Sequence, residues 1–113
     1  MSPEAQRIAI AEARGWTAIS VYPDGAVMAF DPSKVLRAKL PDFPNDLNAI
    51  HEAGKTLTVD QGKQFIIHLW VKVAHYHIPE KFTLDAAFLL ANATARQHAE
   101  AFLRTLGKWR DAG

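Results

Sequence analysis

Five histidines, His51, His68, His75, His77 and His98, are the residues of this chain best equipped for chemistry, because imidazole can hold a metal ion or move a proton near neutral pH. Their spacing argues against a metal centre. A helical metal motif sets two histidines four residues apart with an acidic partner, whereas His75 and His77 are two apart near a helix end, where cationic side chains also suit the dipole. No metal and no cofactor is expected. Glu4, Glu12, Glu52 and Glu100 are scattered singly rather than gathered beside a nucleophile, and read as solvated helix faces. The chain contains no G-x-S-x-G elbow, phosphate-cradling glycine loop or dinucleotide fingerprint, so a non-enzymatic role is expected.

The remaining polar and aromatic residues suit binding better than catalysis. The stretch from Pro41 to Asn48 is dense in polar groups at a helix start, where free N–H groups could hold an anion. Asp42 and Asp46 compete for those donors, which favours a self-satisfied helix start. Arg104, Lys108 and Arg110 around Trp109, with Arg96 and the cluster Lys34, Arg37 and Lys39, could touch phosphates or an acidic protein. Of the three tryptophans, Trp70 lies in a helical apolar stripe and should be core. Trp16 and Trp109 stand at element ends, where a ring either covers the core or meets a partner.

The elements that must position these residues belong to one domain. The 113 residues, 49% of them hydrophobic, can build a packed core without a metal or disulfide staple. Thirteen Lys and Arg against twelve Asp and Glu give a formal charge of +1, too little for a global field that gathers nucleic acid or anionic membrane. The lack of cysteine excludes a disulfide framework and a thiolate nucleophile, and fits a reducing compartment. No segment has the length of a signal peptide or membrane span, so a soluble, unprocessed cytoplasmic protein with no membrane partner is expected.

Local signals predict an α+β fold in the order helix-strand-strand-helix-helix-strand-helix, with helices packed on a small antiparallel sheet made of a hairpin plus a later strand. Ser2 and Pro3 start a helix over 3–14, which Gly15 stops. Segments 17–22 and 26–30 flank Pro23-Asp24-Gly25 and predict the hairpin. Residues 31–41 read as a connection. Asp42 is taken as an N-cap, because Phe43, Leu47, Ile50, Gly54 and Leu57 recur on one helical face, giving a helix over 43–57. Gly54 on that face permits close approach of another element, or marks a break. Thr58-x-x-Gln61 and Thr94-x-x-Gln97 are capping boxes that start two further helices. Phe65, Ile66, Leu69, Trp70 and Val73 form the stripe of the first, which Pro79 must end. Ala99, Phe102, Leu103 and Leu106 form the stripe of the second, with Gly107 as its stop. The alanines of 82–93 suit a helix, but the run Phe88-Leu89-Leu90 before Asn92 also suits a buried strand, and the strand is favoured.

Three blocks in order resemble a known family. They are the N-terminal RIAIAEA (7–13) with Gly15-Trp16-Thr17, the middle LPDF (40–43) with NDLNAIHEA (45–53), and the ending ATA (93–95) with AEAFLRTLGKW (99–109). Over nearly the full length the chain is similar to small bacteriophage proteins carrying the phage ABA sandwich domain. The resemblance implies helices on both faces of a small antiparallel sheet and supports a strand at 83–91. It carries no general biochemical activity. The chain departs from the pattern at Gly54, where a charged residue is more usual, and over 68–78, which is unusually apolar.

From that resemblance the leading expectation is a phage accessory protein that acts by binding, counteracting bacterial defence by occupying a host effector protein in the host cytoplasm. Trp70, His75, Tyr76, His77 and Phe82 would supply apolar contacts, with Trp109 and Arg110 beside them to orient the complex. The alternative is a sponge for a cyclic nucleotide signal, with Arg37 or Arg96 for phosphate and Trp16 or Tyr76 for the base, in a pocket between copies of a homo-oligomer. Nucleic-acid binding stands third, and an unrecognised hydrolase fourth.

Overall fold

The computed structural model describes residues 1–33, 36–74 and 84–111, and shows an α+β protein with five helices and a three-stranded antiparallel sheet. The first helix, α1 (Pro3–Ala13), starts where the Ser2 hydroxyl accepts the N–H of Ala5 and proline occupies the first turn. It ends in a Schellman motif. Gly15 at φ +91° donates to Glu12 and Trp16 donates to Ala11, so the last carbonyls are satisfied while Trp16 is folded back onto the core.

Strands β1 (Thr17–Val21) and β2 (Val27–Phe30) form the expected hairpin. Its turn closes through Gly25 N–H to the Tyr22 carbonyl at 2.9 Å, and the Asp24 carboxylate accepts from Ala26 at 3.0 Å. The ladder slips between Thr17 and Ser20, where Ala18 adopts φ +53° in a bulge that bends β1.

The third strand comes from a different place than expected. Segment 31–41 is not only a connection: it contains β3 (Arg37–Lys39), which pairs antiparallel with β2 through Met28 and Lys39, Ala29 and Ala38, and Phe30 and Arg37. Its side chains show no apolar alternation because one half-buried alanine suffices on this edge, and the strand is held by its ladder. Residues 84–91, expected to be a strand, are instead α4 (Leu84–Ala91). No residue between 84 and 91 is β-branched and three are alanine, so local preference opposes a strand, and β3 already takes the free edge of β2. Asn92 ends the helix by donating its side-chain amide to the Phe88 carbonyl at 2.8 Å.

The second helix, α2 (Leu47–Gly54), is shorter than the 43–57 expected. Asp46, not Asp42, is the N-cap, accepting from Asn48 and Ala49. Residues Phe43 and Pro44 are buried in a turn in which Asp46 N–H reaches the Asp42 carbonyl at 2.8 Å, so core packing holds this stretch out of the helix. Helix α3 (Val59–Ala74) opens with the expected reciprocal cap, Gln61 N–H to the Thr58 hydroxyl and Thr58 N–H to the Gln61 side chain. Helix α5 (Ala95–Thr105) does the same with Thr94 and Gln97, and ends in a second Schellman motif at Gly107, φ +70°.

Helix α5 is the hub, packing on α1, α2 and α3. Its Ala99, Phe102 and Leu103 join Ile10, Val27, Ala29, Leu40, Phe43 and Ile50 in the main core. Helix α3 packs closely on α5, where Ala101 continues into a smaller core with Leu69, Trp70, Leu90 and Ala93. Across the α3–α5 joint, the Glu100 carboxylate receives Lys72 and, at 3.0 Å, Arg104 four residues on. The guanidinium of Arg7 ties α1 to the chain after β3 by donating to the carbonyls of Leu40 and Pro41. Along β2 the face with Val27 and Ala29 is sealed, while Met28 and Phe30 on the other face are half-buried. Among the described residues β2 is thus fully packed on one face only.

Candidate binding surfaces

Of the residues expected to meet a partner, the structure describes Trp70, Trp109 and Arg110. Trp70 is only 6% exposed and belongs to the smaller core, so it is unavailable to another protein. His75, Tyr76, His77 and Phe82 lie outside the described residues. Trp109 is half-buried and packs on the main core, with the Arg104 guanidinium 5.3 Å from its ring centre and its Nε1–H donating to Asp111 at 3.3 Å. Arg110 is exposed, and its guanidinium donates to the carbonyls of Gly107 and Trp109 just beyond α5.

Among the nucleotide-binding candidates, the described Arg37, Arg96 and Trp16 belong to different parts of the fold, β3, α5 and the end of α1. Arg37 lies 5.6 Å from the Phe30 ring centre and donates to the Tyr22 hydroxyl at 3.4 Å. Arg96 donates to the Asn45 side chain at 3.2 Å. Trp16 lines a cavity of about 580 Å³ between α1 and β1, with Ile8, Glu12, Thr17, Ala18, Ile19 and Val21. This lining has a carboxylate and no cation, which suits a phosphate poorly. The start of α2 is satisfied by Asp46, as the competing carboxylates implied, and offers no vacant anion seat.

What the fold does present is a set of exposed apolar side chains on α4 and on α3, the helix packed against it. Seven of the eight α4 residues are apolar, yet Leu90 supplies the buried contact, and Leu84 and Phe88, one turn apart, are 89% and 69% exposed. Leu89 of α4 and Ile66 and Val71 of α3 are exposed as well, and α3 packs against α4. A helix with apolar residues on its outer side is ordinarily buried against something else. The sequence signal was the α4 composition itself, misassigned there to a buried strand.

The second feature is a cavity of about 250 Å³ between α2, α3 and α5, lined by Ile50, His51, Gly54, Lys55, Phe65 and His98. The rings of His51 and His98 meet edge-on with centres 4.8 Å apart, and Phe65 stands 5.9 Å from His98. His98 Nδ1 lies 2.9 Å from the Thr94 carbonyl, which can only accept, so Nδ1 carries the proton and Nε2 the lone pair. Burial pushes the His98 pKa below its ordinary value; the Thr94 carbonyl opposes this, and His51 adds to the lowering. Burial also lowers His68, with Arg104 contributing. Lys55 is occupied by Glu52, at 2.7 Å, whose carboxyl is held below its usual range chiefly by that hydrogen bond. Above Gly54 there is open space rather than a closely packed neighbour, contrary to the close approach its position suggested.

Among the described residues no three His, Cys, Asp or Glu side chains come together, and no helix is long and apolar enough to cross a membrane. Comparison with protein-family models, curated proteins and solved structures yields no match.

Proposed function

We propose that this chain is a non-enzymatic binding protein that docks a protein partner on the α3–α4 apolar surface. The observation that carries this reading is the outward display of Leu84 and Phe88 on a helix with a single charged residue, Asp85. Desolvating such side chains favours association without a polar penalty, and a large aromatic is the usual anchor of an interface. The resemblance to phage ABA sandwich proteins supports a more specific version: the partner is a host defence effector, occupied in the bacterial cytoplasm. Basic residues away from this surface would then set orientation and association rate rather than hold the complex.

The test is copurification of the tagged chain from infected bacterial lysate, beside Phe88→Glu and Leu84→Glu variants verified as folded by circular dichroism. One host protein retained by the parent and lost from both variants is the expected result. Retention of no host protein, or equal retention by the variants, would refute docking at this surface.

A further inference from the structure

The cavity beside α2 holds two imidazoles that the binding role above does not use. His51 is on α2 and His98 on α5, separated by nearly half the chain and brought together by the packing of these helices. We propose that His51 and His98 form a two-imidazole seat for a late first-row divalent transition-metal ion, such as Zn²⁺, Ni²⁺ or Cu²⁺, with water completing its coordination.

Three features of the geometry support it. With metal–nitrogen bonds of about 2.1 Å and a tetrahedral angle, the centres of two ligating imidazoles stand on the order of 5 Å apart. The observed separation is 4.8 Å, and His51 is exposed, so an ion can reach it from solvent. The Thr94 carbonyl then fills the place of an outer partner: by accepting from Nδ1 it fixes the tautomer and leaves Nε2 as the ligating atom, the arrangement usual behind a metal-bound histidine.

The surroundings define the ion. Nitrogen ligands without a carboxylate select against Mg²⁺ and Ca²⁺ and favour the later transition metals. The cavity of about 250 Å³ has room for coordinated water, and the open space over Gly54 continues it. Lys55 also lines it, but its ammonium lies against the Glu52 carboxylate, which offsets its repulsion of a cation. Two protein ligands make a site of modest affinity with open coordination positions. A bound ion would clip α2 to α5.

The experiment is thermal unfolding of the full chain with Zn²⁺ or Ni²⁺, for the parent, for His51→Gln, and for His75→Gln/His77→Gln as the control for the other histidine pair. At metal tenfold above its dissociation constant the midpoint should rise on the order of 5 °C. The rise should vanish in His51→Gln and persist in the control. In proton spectra of the parent, substoichiometric Cu²⁺ should broaden the His51 and His98 ring signals before those of His68, His75 and His77. No rise at millimolar metal, an undiminished rise in His51→Gln, or first broadening at His75 and His77 would overturn the assignment. Because His51 is outside the α4 surface, these results are independent of partner docking.

Discussion

Replacing Phe88 and Leu90 separately with alanine tests the placement of α4, on which the proposed docking surface rests. Phe88 is 69% exposed, so about a third of its side chain is withdrawn from water. Full burial of such a side chain is worth about 1.5–3 kcal/mol, so Phe88→Ala should cost roughly 0.5–1 kcal/mol, partly returned by the better helix propensity of alanine. Leu90 is 9% exposed and packs with Leu69, Trp70, Ala93 and Ala101. Its truncation leaves a cavity between α3, α4 and α5 and should cost about 2–5 kcal/mol. Urea denaturation followed by tryptophan fluorescence measures both, with an unchanged slope confirming that the midpoint shift reports stability. The ordering matters more than either value. If 84–91 were a buried strand, Phe88→Ala would cost as much as Leu90→Ala or more, and equal losses would refute both the helix orientation and the exposed apolar surface.

Ala18→Gly should stabilise the fold by about 1 kcal/mol, since glycine adopts the left-handed conformation of the β1 bulge without steric cost; chemical denaturation showing a loss would contradict the bulge geometry. Thr94→Ala removes one bond of the α5 cap and should cost about 1 kcal/mol, against a loss near zero if that helix began elsewhere. Because the folded pKa of His98 is depressed, the unfolded chain binds more protons below about the ordinary value of 6.5. Stability should therefore hold above that pH and decline as pH falls through it towards the folded pKa, and His98→Gln should flatten this part of a stability–pH curve. A thermal-shift series with cyclic nucleotides should show no change, because Arg37 and Arg96 are engaged on different elements; a rise of several degrees would revive the sponge reading.

Part of the site was legible before folding was known. Of the segment 68–78 singled out as unusually apolar, Val71 is exposed while Leu69 and Trp70 are buried, and the exposed Leu84, Phe88 and Leu89 lie beyond it, because periodicity alone could not divide the region into inside and outside. Trp70 has the residue type of an interface anchor and is core because α4 and α5 close over it. Phe88 has the type of a core residue and is exposed because Leu90 and Ala93 take the contact with α3 and α5. The pairing of His51 with His98 has no signature in linear spacing at all.

The sequence by itself determined the features whose causes lie within a few residues. Ser2, Thr58 and Thr94 satisfy nearby backbone N–H groups, Gly15 and Gly107 adopt positive φ at helix ends, and Pro23-Asp24-Gly25 turns the hairpin. These interactions span two to five residues, so residue type and order suffice to place them. Tertiary structure alone decided that Arg37–Lys39 completes the sheet, that Asp46 prevails over Asp42 as a cap, and that the Leu84–Ala91 helix leaves Leu84 and Phe88 uncovered. The outcome was set by distant partners, the free edge of β2, the burial of Phe43 and Pro44, and the slot between α3 and α5, whose contributions no local window contains.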